Sequence, residues 1–253
     1  MTLDHKSIET IYSDRLLKGT IHPANENEEP LQFIKSWLPM NKEEKILDAG
    51  CGNGRYALAV ANAGNYDLTA IDLFESIDTS SLFRYFRASI DDTKLTDSLF
   101  TLIYCMSVIF YLPNPRTAMS EFYRILKPGG FVLLSAHTKY SLFTLDRKVQ
   151  RAFGAAKHLK GVAFYSAKEY TDMLSAEGFQ IVDVDGYEMF YSPWMVHKKI
   201  IGAFRKVFGL KQKARLTVVN CTRKIRPAWL KWLYSELGYH SLIVAQKPDV
   251  HNI

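Results

Sequence analysis

Apolar and polar positions follow two periods along this chain, and the changes of period mark its elements. A short apolar run at Ile46 and Leu47 stops at Asp48 and opens into a loop holding Gly50, Gly52 and Gly54. The alanine-rich stretch 55–63 has apolar positions suited to a helix packed on both sides, and residues 66–71 read as a second strand ending at Asp72. Upstream, helical spacing over 7–17 and 31–38 flanks a polar gap at 25–29, and Pro39 is expected to end the second helix. The next apolar run, 82–86, follows the second strand after only about ten residues, too few for a crossover helix of about three turns with its loops. That crossover is expected to shrink to a turn or a single helical turn.

Residues 99–108 are rich in apolar and β-branched types, the pattern of a central strand buried on both faces. Pro113, Asn114 and Pro115 break the chain before a helix at 116–126, and Gly129 with Gly130 turns it into a strand at 131–135. Ser166 and Glu169 form a capping box at the head of a helix running to 176. Further strands are expected at 179–187 and 240–246. Strands interleaved with helices in this order predict an α/β sheet.

The chemistry begins at the glycine loop. Alternate glycines turn the backbone tightly and let a ligand lie against it, and Asp72 falls 18 residues beyond Gly54, near the spacing of about 20 at which a βαβ unit offers a carboxylate to a ribose. A nucleoside is therefore the expected guest. A dinucleotide fingerprint needs its third glycine after two intervening residues, whereas here Arg55 occupies that place and the third glycine comes one residue early. This disfavours a nicotinamide oxidoreductase.

The run Asp48-Ala49-Gly50-Cys51-Gly52-Asn53-Gly54, with Asp72 beyond it, resembles motif I and the second-strand acid of class I S-adenosylmethionine-dependent methyltransferases. Residues 121–130, Glu-Phe-Tyr-Arg-Ile-Leu-Lys-Pro-Gly-Gly, are similar to the fifth-strand approach of the type 11 branch. The resemblance implies a Rossmann-like, seven-stranded, mostly parallel sheet with its last strand antiparallel, and S-adenosyl-L-methionine as cofactor. It also implies a helical lid at 1–40 and a methyltransferase domain at 41–190 and 238–248; residues 191–237 are expected to be a basic helical insertion where the simplest members of the family have only a hairpin. By the same resemblance Asp48, Gly50, Cys51, Gly52 and Gly54 would underlie the cofactor, with Asp72 and Leu73 at its ribose. Ser89, Ile90 and Asp91 would sit at the adenine, where relatives carry a Gly-Asp pair. Cys105 and Met106 are expected at the cleft because they end a central strand, and Tyr12 is a candidate cover from the lid.

Methyl transfer needs position and a dry site, and a hydroxyl acceptor also gains from a base. His137, just after the fifth strand, and Tyr111, where relatives often carry paired histidines, are the candidates. The acceptor expected is a small molecule or a lipid-linked molecule. A methyltransferase fold that only binds as a partner subunit, and a nucleic-acid methyltransferase, are the competing readings. No Asn-Pro-Pro-aromatic or Asp-Pro-Pro-aromatic tetrad supports the second.

At 253 residues with 47% hydrophobic content, the chain can bury one sizeable core. No apolar stretch reaches the length of about 18 residues that a membrane span requires, and the charged start at 1–9 is unlike a signal peptide. Three cysteines, far apart and odd in number, fit a reducing compartment and give no zinc spacing. A cytoplasmic protein without a metal is expected. The net charge of +6 belongs to one segment: residues 195–235 hold 11 Lys and Arg and no acid, leaving 21 basic against 26 acidic residues elsewhere. Within it Val196, Ile200, Phe204, Val207 and Phe208 recur at helical spacing, apart from Lys198, Lys199, Arg205 and Lys206. A second cluster, Arg223, Lys224, Arg226 and Lys231, is interleaved with Trp229, Trp232 and Tyr234. Such a segment is expected to close over the substrate cleft or to touch an anionic membrane at its inner face.

Overall fold

The computed structural model describes residues 24–74, 82–152, 162–188 and 226–249. The expected helix at 7–17, Tyr12 and the amphipathic stretch at 196–208 lie outside them. In chain order the elements are α1 (Glu29–Lys35), β1 (Lys45–Ala49), α2 (Arg55–Ala63), β2 (Asp67–Asp72), β3 (Arg84–Arg87), β4 (Phe100–Met106), a single 3-10 turn (Ile109–Tyr111), α3 (Pro115–Ile125), β5 (Leu126–His137), α4 (Leu142–Ala152), α5 (Ala167–Ala176), β6 (Gln180–Tyr187), α6 (Ala228–Leu237) and β7 (His240–Gln246). The seven strands form one sheet in the order β3-β2-β1-β4-β5-β7-β6. Strand β7 runs antiparallel to both β5 and β6, and the remaining pairs are parallel. This is the Rossmann-like arrangement expected.

Because neighbouring residues of a strand point to opposite faces, the central strands feed two apolar layers. Leu47, Ile103, Cys105 and Leu134 pack on one face with Met119 and Phe122 of α3 and Tyr170 and Leu174 of α5. Ile46, Leu102, Tyr104 and Leu133 pack on the other with Phe33 and Ile34 of α1 and Ala57 and Val60 of α2. Helix α1 is thus a piece of the core. It runs from 29 to 35 where spacing predicted 31 to 38, because Pro30 sits in its first turn and the Ser36 N–H turns back to Gln32 and Ile34 carbonyls. Trp37, freed from the helix, packs on Phe131 with ring centroids 5.4 Å apart.

Strand β5 is longer than expected, since Leu126 already pairs with Phe100 and a register shift lets Gly129 and Gly130 remain within the strand. The capping box at Ser166 and Glu169 forms as the sequence indicates. Helix α6 lies very close on β6. A Cβ on Gly186 would stand 2.1 Å from the Tyr234 carbonyl oxygen, so only glycine permits that approach.

Where β5, β7 and β6 meet, a polar chain is buried. The Tyr187 hydroxyl contacts His240 Nδ1, the Ser135 Oγ lies 3.4 Å from the same nitrogen, and His240 Nε2 lies 3.5 Å from His137 Nε2. Burial alone lowers the His240 pKa from 6.5 to about 3, so its imidazole stays neutral. Unfolding would let it take up a proton at any pH between those two values. Stability is therefore full above pH 6.5 and declines as the pH falls toward 3, by about 1.4 kcal/mol per unit for one such group. Urea midpoints measured from neutral to acid pH should fall more steeply in the wild type than in His240→Asn, by a slope equivalent to about one proton. Parallel slopes would mean that His240 titrates alike in folded and unfolded chains.

Candidate cofactor and acceptor site

The functional cleft opens at the carboxyl ends of β1 to β4, where an open α/β sheet receives its ligands. Chain geometry builds it from the glycine loop outward. The N–H groups of Gly50 and Cys51 both donate to the Ile71 carbonyl, at 2.9 and 3.0 Å, so the loop is tied to the last turn of β2. The Asp72 carboxylate completes the tie: Oδ2 accepts from the Gly52 N–H and Oδ1 from the Leu73 N–H, each at 2.7 Å. Gly50, at φ +80°, passes so close to Val108 that a Cβ would meet its methyl groups at 2.7 Å. Gly54, at φ 77°, ends the loop and starts α2.

Together Gly50, Asp72, Leu73, Phe74, Ala88, Ser89, Ile90, Val108, Tyr111 and Leu112 line a cleft at these strand ends. Six of the residues singled out by sequence are therefore gathered on one wall: Gly50, Asp72, Leu73, Ser89, Ile90 and Tyr111. Asp91 stands behind them, accepting a hydrogen bond from the Ser89 hydroxyl. Asp48 lies beneath the loop, 1% exposed. Burial drives its carboxyl pKa well above the usual range, the nearby Tyr104 hydroxyl offsets part of the rise, and the Asp72 charge adds to it. Its Oδ2 has no hydrogen-bond partner.

Cys51 is buried against the loop, and Cys105 and Met106 are buried in opposite layers of the core. Burial raises both thiols far above their ordinary value, so they stay protonated. Cys105 and Met106 do not line the cleft, contrary to expectation, because β4 ends at Met106 and Ser107, at φ 64°, swings the chain outward. Val108 and Leu112, assigned no role by sequence, take that wall. Phe74 and Ala88 were likewise missed, and neither carries a signal beyond being apolar near a strand end.

His137 lies on the other side of Phe110 from Tyr111. Phe110 separates them, with ring centroids 4.5 Å from Tyr111 and 4.4 Å from His137. Phe143, Tyr239 and His240 close around the imidazole at 4.6, 4.7 and 4.1 Å, leaving 9% of His137 exposed. It is not on the cleft lining. Among the described residues no cluster of His, Cys, Asp or Glu is assembled to hold a metal ion, and no helix is long and apolar enough to cross a membrane.

These features suit S-adenosylmethionine. The bare Gly50 backbone gives a flat surface for the methionine and ribose, and the Asp72 oxygens keep lone pairs for two ribose hydroxyls after serving the loop. The apolar strip of Phe74, Ala88 and Ile90 suits an adenine.

Comparison with known proteins places the chain. A family model described as a methyltransferase domain matches residues 24–184, well over half of it. A ubiquinone biosynthesis O-methyltransferase of Hydrogenovibrio crunogenus is 31% identical over 129 residues, covering 46% of this chain and 51% of that protein, so the chain spans about half the length of that relative. The 27-O-demethylrifamycin SV methyltransferase of Amycolatopsis mediterranei is 24% identical over 230 residues, covering 85% of this chain and 82% of that protein. Among solved structures, an S-adenosylmethionine-dependent methyltransferase of Thermotoga maritima, described as a possible histamine N-methyltransferase, matches the fold with a TM-score of 0.60 at 20% identity, covering 86% of this chain and 87% of that one. Glycine loop, strand-end acid, sheet order and family match agree, and the chain belongs to the class I S-adenosylmethionine-dependent methyltransferases.

Proposed function

We propose that this protein transfers the methyl group of S-adenosylmethionine to a hydroxyl of a small-molecule or lipid-linked acceptor. The observation that carries the reading is the convergence of Gly50, Asp72, Ser89 and Tyr111 on one cleft, with an imidazole one ring behind its wall. Relatives named as O-methyltransferases, one of ubiquinone biosynthesis and one, in Pectobacterium atrosepticum, of malonyl-[acyl-carrier protein], support the choice of an oxygen.

When bound, the cofactor supplies a sulfonium methyl, and the rest of the work falls to the chain. Asp72 holds the ribose and, through the Gly52 N–H, keeps the loop seated under it. Leu73, Ser89 and Ile90 fix the nucleoside, with Asp91 orienting the Ser89 hydroxyl. Gly54 starts the helix that backs the loop, and Cys51 and Asp48 pack beneath it. Tyr111 and Leu112 exclude water and orient the acceptor. His137 takes the acceptor's proton when the Phe110 ring swings aside, and the neutral His240 keeps its imidazole in place.

Asp72→Ala should weaken S-adenosylmethionine binding by about 1.5–3 kcal/mol, the worth of a hydrogen bond to a charged group. Titration calorimetry showing unchanged affinity would remove Asp72 from the ribose site. His137→Gln should lower turnover of a hydroxyl acceptor by roughly 10²–10⁴-fold with cofactor affinity nearly intact. Wild-type turnover in that variant would leave His137 as a packing residue.

A further inference from the structure

Glu121 and Arg124 belong to the stretch 121–130 that resembles the type 11 branch, yet neither lines the cleft. Both stand on α3, and what they hold is the loop between β3 and β4. The Glu121 carboxylate accepts four hydrogen bonds. Two come from Arg124, from Nη2 to Oε1 at 2.7 Å and from Nε to Oε2 at 2.8 Å, a forked pairing that fixes both groups in one plane. The other two come from the buried Thr93, whose N–H lies 2.9 Å from Oε1 and whose hydroxyl donates to the same oxygen. The Thr93 oxygen in turn accepts from the Leu95 N–H at 3.2 Å. Arg124, with help from Thr93, holds the Glu121 carboxyl down at about 2 against the opposing effect of burial, so the acceptor is charged at any working pH.

The loop is gripped at its other points as well. At its start the Ala88 N–H donates to the Asp72 carbonyl at 2.9 Å. At its end the Ser98 and Leu99 N–H groups donate to the Arg124 and Ile125 carbonyls at 3.0 and 2.8 Å, and Arg124 Nη1 donates to Asp97. Lys94 and Ser98 take positive φ, at 59° and 49°, which residues with a Cβ keep only where their surroundings impose it. What remains is the short turn from Ser89 to Asp92, closed by the Asp92 N–H on the Ser89 carbonyl at 3.3 Å. Ser89 and Ile90 of this turn line the cleft. Thr93 follows it directly, so the turn is referenced to Asp72 on one side and to Glu121 on the other.

We propose that Glu121 and Arg124 are positioning residues for the cofactor's base: by fixing Thr93 they set the Ser89–Asp92 turn against adenine and give the site its preference for that base, an assignment that rests on the placing of adenine at Ser89 and Ile90 above. Adenine differs from hypoxanthine in its exocyclic group, an amino donor in place of a carbonyl acceptor. The Ser89 hydroxyl donates to Asp91, so toward a ligand its oxygen acts as an acceptor, which suits the amino group and repels the carbonyl. Discrimination of this kind works through groups left unpaired by the wrong ligand. It therefore needs an acceptor held in place, since one free to shift would turn to water or re-pair. The apolar Ala88 and Ile90 contact either base equally. Neither Glu121 nor Arg124 has to touch the cofactor, because a displacement of about 1 Å at Ser89 is enough to lose the bond.

The test is calorimetric binding of S-adenosylhomocysteine and of S-inosylhomocysteine, which differ only in the base, to the full-length protein. The wild type is expected to favour the adenine ligand by about tenfold or more. Glu121→Ala should raise the Kd of S-adenosylhomocysteine about tenfold and move that of S-inosylhomocysteine little, so that the preference collapses. Glu121→Gln, whose amide oxygen still accepts from the Thr93 N–H, should restore most of it. Thr93→Val keeps the side-chain shape and removes one donor, and should lower the preference about threefold in a fully folded protein, so the outcome does not hang on the stability of Glu121→Ala. Equal weakening of both ligands would overturn the proposal and leave the pair on α3 as a fold element, as would a wild type indifferent to the base or a preference unchanged in Glu121→Ala and Thr93→Val. Ser89→Ala separates the two levels: if it lowers the preference while those variants do not, adenine lies where proposed and only the positioning role falls, and if it too changes nothing, the placing of adenine falls as well. No acceptor is present, so the hydroxyl-transfer reading is untouched by either result.

Discussion

The contact on which the site depends is the clamp between one carboxylate and two backbone amides. Asp72 accepts from Gly52 and Leu73 at 2.7 Å each, while the Ile71 carbonyl beside it takes the Gly50 and Cys51 amides. A loop rich in glycine has much backbone entropy to lose, and three of these four bonds, from Gly50, Cys51 and Gly52, fix it at the ends of two adjacent parallel strands. Everything on the cleft's near wall is referenced to that point: the closeness of Gly50 to Val108, the start of α2 at Gly54, and the burial of Asp48 below. The same carboxylate that recognises the ribose in the proposed function also shapes the surface on which the nucleoside would lie. Loss of its charge would be felt twice, in recognition and in loop geometry.

The packing behind the cleft, on the far side of Phe110, follows a different logic. Around His137 stand the rings of Phe110, Phe143 and Tyr239 and the imidazole of His240, the last kept neutral by burial. Such an arrangement suits a reaction in which the electrophile is already reactive and the base has only to collect a proton.

The fold was largely legible because the signals are local. The helix at 55–63 and the strand at 240–246 appear at their expected bounds, since each is framed by glycine or by a clear change of period. The cofactor half of the site was legible for the same reason: a glycine loop and a strand-end acid sit within one βαβ unit. Failures came where a single residue's backbone decides the outcome. Nothing in the composition of 99–108 announces that Ser107 adopts a positive φ, yet that angle removes Cys105 and Met106 from the cleft and brings in Val108. The inward commitment of Arg226 is equally silent in sequence, because its partner Asp185 is 41 residues away on another element.

The position of β7 has a consequence for how the chain comes to be folded. It lies between β5 and β6 and hydrogen-bonds to both, but it is the last of the seven strands to leave the ribosome. Until residues 240–246 have emerged, β5 and β6 have no strand between them, and each presents an unpaired edge of the kind that recruits other chains. Synthesis at about 5–20 residues per second leaves those edges open for the seconds needed to make the intervening fifty or so residues. A ribosome-bound nascent chain halted before β7 should therefore be a client for chaperones, and completion of one short antiparallel strand is the event that releases it.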